Sequence, residues 1–305
     1  MSFNPKFLMF AAATALFGAL WAYFNAAFLN PAAGASSWPS LVFGALFLSF
    51  YMLRDVYAPS TKEALTIALV EIVEIIFASG VSLVWGAAAA IFFLFAANHG
   101  KSDATLGLKI DLRNLAHSVG PKTITAMAII VSALYTSTAF GDNFSLSKPA
   151  AISILSPVIR SLSFFIPGVN AATPVGDALA GFTKNILAGQ LAALPPAERD
   201  AAIRQATAKT LQSLEGALGT PISGRDSILD AVRRSANAGL AQIPQNFRPY
   251  ILFGFAALVF LTIKGFGFLL VYIVYLVAWA LHKLFLKVGF VKIVTEQVAK
   301  ESVLF

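Results

Sequence analysis

Five apolar runs, separated by polar connectors and one long mixed segment, organise this chain. The first, Phe7 to Leu29, follows Lys6 and ends at Asn30-Pro31. A bilayer span needs about 20 apolar residues, whereas the apolar region of a cleavable signal holds about 7 to 15. The run therefore reads as an uncleaved span, although Ala33-Gly34-Ala35 resembles a small-residue cleavage site. Ala11, Ala15, Ala19 and Ala22 recur at helical spacing and offer a face for close helix packing. The second run opens at Ser37-Trp38-Pro39, with serine as cap and proline in the first turn. It reaches Leu53 and is closed by Arg54-Asp55. The fourth, Thr123 to Phe140, opens after Gly120-Pro121. The fifth, Tyr250 to Leu281, is interrupted only by Lys264.

The third run, Ala64 to Ala97, is too long for one ordinary span and barely long enough for two. Its only ionisable residues are Glu71 and Glu74. A single passage, with Lys62 to Glu74 lying amphipathically at the interface, gives five spans and an external N-terminus. A turn at Ser79-Gly80 gives six spans and an internal one, the side that Lys6 favours. The single passage is preferred, because a tight hairpin of short helices carrying two carboxylates is energetically poor. At helical spacing Glu63, Glu71, Glu74 and Ser82 share one face. Intramembrane carboxylates mark ion paths, proton relays or polar pairing within a bundle. Lys264 is a candidate partner for Glu71 or Glu74 across helices, or else snorkels at the boundary below an apolar helix, Tyr250 to Ile263.

Residues 141–248 differ in kind, mixing charges of both signs with turn signals such as Pro167-Gly168 and Pro195-Pro196. An amphipathic stretch, 147–166, reads as a membrane-surface segment kinked at Pro157. Helices are expected over 177–194, over 196–218 with Pro196 at its start and Gly219 as its stop, and over 227–243, where Ser227 and Asp230 fit a capping box. The fold class that follows is all-α: a polytopic helical membrane protein of five or six spans. It divides into an N-terminal membrane bundle (1–140), an extracytoplasmic helical domain (141–248), a long C-terminal membrane helix (249–282) and a basic amphipathic cytoplasmic tail (283–305).

Composition agrees. Hydrophobic residues make up 58% and charged residues 12%, against about 25% charged in soluble domains, and the mean hydropathy is +0.76. The net charge of +7 is spread without a dense basic cluster, which argues against nucleic acid and fits the basic excess of cytoplasmic flanks. Lys101, Lys109, Arg113 and Lys122 make one such flank, and Lys283, Lys287, Lys292 and Lys300 the other. Placing both inside puts the long mixed segment outside. Lys283, Lys287 and Lys292, set among apolar residues, are candidate contacts for anionic headgroups.

Catalytic patterns are not found. With no cysteine, thiolate metal sites and a cysteine nucleophile are excluded. His99, His117 and His282 stand far apart, and His99 with Asp103 in a polar loop is a weak metal pair. Gly100-Lys101-Ser102 fails as a phosphate loop because Phe95 stands where the first glycine belongs. No cofactor and no metal are expected, and the chain reads as non-enzymatic. The favoured expectation is a membrane scaffold or assembly subunit of an envelope-spanning complex in the bacterial cytoplasmic membrane, with the bilayer and other membrane subunits or further copies as partners. The competing one is a transporter or channel subunit with Glu71 and Glu74 in a polar path; the inverted repeats that would favour it are not evident. In the order of its hydropathic segments the chain is similar to polytopic subunits of conjugative secretion channels, a likeness of layout carried by no motif.

Overall fold

A computed structural model describes residues 5–29, 38–58, 60–106, 111–140, 144–152, 163, 168–189 and 195–291. The described residues fold into helices: α1 (Pro5–Leu29), α2 (Trp38–Tyr57), α3 (Thr61–Ser79), α4 (Leu83–Leu106), α5 (Leu112–Ala139), α6 (Val175–Ile186), α7 (Pro196–Leu218), α8 (Ile228–Ala241) and α9 (Arg248–Lys287). Among them, five are long and apolar enough to cross a membrane: Pro5–Phe28, Trp38–Tyr57, Leu83–Ala104, Leu112–Ala139 and Gln245–Lys287. The chain divides into two compact units, one of residues 1–28, 32–134 and 258–305, the other of 29–31 and 135–257.

In the first unit, α1 to α5 and the C-terminal part of α9 alternate in direction. Phe10 of α1 meets Tyr57 of α2, while Trp21 stacks on Phe47, so these two helices run antiparallel. Tyr51 meets Phe93 with tilted rings, and Gly100 lies against Asp55, so α2 and α4 run parallel. For that to happen α3 must carry the chain back to the start of α4. Gly120 packs on Val271 and Gly267 on Ile124, which sets α9 antiparallel to α5. The turn at the end of α3 is made by Gly80, whose φ of 69° lies in the left-handed region and whose N–H reaches the carbonyls of Ile76 and Phe77. Only glycine enters that region without a steric penalty, which is why it so often ends helices.

Residues 64–97 are thus not one continuous helix, and of the two that form, α4 alone is among the five long and apolar enough to cross a membrane. The chain makes two helices, and Ser82, which follows the turn, no longer shares a face with the glutamates of α3. The hairpin is less costly than its sequence suggests, because Ser60 caps α3 at the Glu63 N–H, Gly80 closes its end, and Glu71 finds an internal partner.

Helix α5 begins eleven residues earlier than expected and carries Pro121 inside it. A proline removes one helical hydrogen bond, yet neighbouring side chains occupy the carbonyls around it. Thr123 Oγ1 donates to the carbonyls of Val119 and Gly120, Thr125 Oγ1 to that of Pro121, and Lys122 Nζ to that of Ser118. Such substitution is how membrane helices tolerate proline. Asp111 caps the helix by accepting from the N–H groups of Arg113 and Asn114. Helix α9 is 40 residues long, about 60 Å at 1.5 Å per residue, and passes Gly265 and Gly267 without a break.

The second unit has a small core. Val175, Ile222 and Ala231 are buried, with Leu179, Leu211, Leu214 and Ile228 packed against them. Gly176 approaches Gly224 so closely that a Cβ on it would lie 2.9 Å from the Gly224 carbonyl oxygen. Ser227 caps α8 by accepting from the Asp230 N–H, the half of the capping box that its sequence predicts, while its hydroxyl donates to the Asp230 carboxylate. Gly219 ends α7 in the left-handed region. Asp226 accepts from Arg234 and from the Ser223 N–H, and the Arg234 bond, seconded by that N–H, holds its carboxyl below the usual range. Most of 147–166, including Pro157, lies outside the described residues, as do Ala33-Gly34-Ala35, Lys292 and the rest of the tail.

Candidate functional site

The first unit encloses a cluster of charges. Arg54 and Asp55, read from sequence as the polar close of the second run, lie within α2, which continues to Tyr57. Both are 0% exposed, and Glu71, in the middle of α3, is 1% exposed. Arg54 Nη1 donates to Glu71 Oε2. Its Nε and Nη2 both donate to Asp55 Oδ1, at 3.1 and 2.6 Å. Ten residues separate Glu71 from the start of α3 and eight from its end, so by helical rise it lies about 15 Å and 12 Å from the two. Arg54 sits three residues from the end of α2, and its long side chain reaches inward to meet it.

Tyr51 covers this guanidinium. Its ring lies 3.9 Å from the Arg54 carbon, a desolvated cation–π contact, and its hydroxyl donates to the Phe93 carbonyl at 2.6 Å. From the other side comes α4. Gly100 leaves room for the Asp55 carboxylate, since a Cβ there would stand 2.6 Å from Oδ2 and 2.8 Å from Val119 Cγ2. The next residue, Lys101, is buried and donates to the Ala58 carbonyl. The triplet that fails as a phosphate loop therefore closes α4 on the end of α2. One guanidinium serves two carboxylates, and Asp55 Oδ2 and Glu71 Oε1 have no hydrogen-bond partner among the described residues. Buried ions are costly, and truncating one member of such a group leaves the others uncompensated.

The structure does not bring the three proposed intramembrane polar residues together. Glu71 pairs with Arg54. Glu74, one turn on, is half-buried and has no hydrogen bond or ion pair among the described residues, beside the exposed Val70, Val73 and Phe77 of the same helix. Lys264 is on α9 and donates to the Pro121 carbonyl at 2.7 Å and to Thr125 Oγ1. It thus joins the set of side chains that supports α5 around its proline. Lys283 and Lys287 are exposed at the end of α9. His282 is buried and hydrogen-bonds Tyr57, His99 stacks on Phe95, and His117 meets Tyr272 edge-on. Among the described residues no group of three His, Asp or Glu side chains could hold a metal ion.

Sequence reasoning singled out Glu71 and missed Arg54, Asp55, Tyr51 and the role of Lys101. A signal for Arg54 was present. A carboxylate in the middle of an apolar run requires a cation, and the closest one before it in the chain, outside the polar connector, is Arg54.

The class is set by what the described residues show: a helical fold with five helices long and apolar enough to cross a membrane, and a buried ion network in its first unit. No protein-family model, curated protein or solved structure matches the chain.

Proposed function

We propose that the chain is an integral membrane scaffold or assembly subunit, without catalytic activity, in which Arg54, Asp55 and Glu71 lock α2 to α3. One observation carries the reading: all three side chains are sealed from solvent, at 0, 0 and 1% exposure, and the guanidinium is spent on carboxylates of its own chain. An ion path would need these groups to reach water. A lock needs them shut away.

The alternating helices extend the reading to topology. The N-terminal end of α1, the end of α2 with the start of α3, the end of α4 with the start of α5, and the C-terminal end of α9 gather at one end of the first unit, where Lys6 Nζ donates to the Phe290 carbonyl and Phe285 meets Phe10. With α3 as a sixth pass, all four lie on one side, and the basic residues of two flanks make that side the cytoplasm. Residues 141–248 then face the exterior. Their small core, beside exposed Phe182, Ile186 and Phe247, favours support from a partner, in keeping with a subunit of an envelope-spanning complex in a bacterial cytoplasmic membrane. Affinity purification in a mild detergent is expected to recover the chain in fixed ratio with other membrane proteins or with further copies of itself. A strictly monomeric chain would oppose the assembly reading.

A further inference from the structure

A cleft of about 190 Å³ opens in the first unit where α1, α2, α5 and α9 meet. Its walls are apolar and include Trp21, Leu48, Met127 and Leu270; its polar lining comes from Asn25 and Ser40. Asn25 is 7% exposed, and its Nδ2 has no acceptor among the described residues. The Asn25 oxygen accepts from Ser40 Oγ at 3.4 Å, a long bond. A buried amide without an acceptor costs on the order of 1–3 kcal/mol, so a site that leaves one beside a cleft calls for a ligand that supplies a carbonyl. The terminal torsion of asparagine is soft, and a small turn presents the amide to an acceptor seated in the cleft.

The position says what that acceptor belongs to. Asn25 is four residues from the end of α1, and Ser40 is the third residue of α2. With α1 and α2 taken as spans, both stand near the edge of the apolar layer, where the ester carbonyls of lipids lie. From Ser40 to Leu48 the cleft follows α2 inward for about 12 Å at the helical rise, with apolar side chains throughout. A polar mouth at ester depth above an apolar channel matches a lipid chain and its ester group.

We propose that this cleft binds one diacyl glycerophospholipid, with an ester carbonyl accepting from Asn25 and the acyl chain lying between Trp21, Leu48, Met127 and Leu270. The site takes the membrane location as given and is independent of the scaffold reading. Its test is native mass spectrometry of the full detergent-solubilised chain, titrated with diester phosphatidylcholine and with the diether analogue, which lacks the ester carbonyls. The diester should bind at one site per chain about fivefold more tightly, the worth of one neutral hydrogen bond. In Asn25→Leu the diester should fall to the affinity of the diether. Ala45 of α2 also lines the cleft, and in Ala45→Phe, which fills it, both lipids should lose saturable binding while thermal unfolding stays as in the native chain. Equal affinity of the two lipids for the native chain, an ester preference that survives Asn25→Leu, or no saturable binding at all would overturn the proposal. The comparison in the native chain stands even if either variant fails to fold.

Discussion

Replacing Arg54 by Leu will destabilise the chain by about 3–5 kcal/mol, the usual cost of removing one partner from a buried ion group. The loss is large because Asp55 and Glu71 remain buried after losing the guanidinium that bonds to both, and the buried Lys101 beside Asp55 donates to the Ala58 carbonyl. Tyr51 also loses the guanidinium stacked on its ring. Neutralising all three charges together, as Arg54→Met with Asp55→Asn and Glu71→Gln, should cost much less than Arg54→Leu alone, because the two carboxylates no longer remain charged without their guanidinium. Reversible unfolding in mixed micelles, followed by tryptophan fluorescence, would measure both. A triple variant as unstable as the single one would show that the charges themselves, rather than their balance, hold α2 to α3.

Gly100→Val is expected to be the second most damaging change, costing about 1–3 kcal/mol through overpacking. Its Cβ would press on both Asp55 Oδ2 and Val119 Cγ2. The carboxylate cannot retreat freely, because its other oxygen takes two bonds from Arg54. In an Asp55→Ala background the same substitution should cost less, since residues in contact do not contribute additively. The same unfolding assay, run as a double-mutant cycle, checks the coupling. Strict additivity would mean that Gly100 does not seat Asp55.

Local chemistry was the legible part of this fold. The Ser227–Asp230 cap, the Gly219 stop of α7 and the possible turn at Ser79-Gly80 can be read from a few adjacent residues, and each makes the contact its sequence implies. Choosing whether the chain turns at Gly80 was harder, because the choice rests on the fate of Glu71. That fate is decided by Arg54, on a different helix. A charged pair at the end of an apolar run looks like a water-facing boundary, and Arg54-Asp55 carries no local mark that distinguishes it from one. Pro121 posed the reverse difficulty. Its ring signals a helix start, but Thr123, Thr125, Lys122 and Lys264 together make an interior position tolerable, and Lys264 lies 143 residues away. Lys264 thereby has a role that no reading of its own neighbourhood would assign.

Ion and proton flux into liposomes containing the purified chain separates a sealed lock of Arg54, Asp55 and Glu71 from a polar path. The native chain and Glu71→Gln would be compared at equal folded protein. Neither is expected to raise flux above that of empty vesicles. Flux carried by the native chain and abolished by Glu71→Gln, with the fold retained, would contradict it.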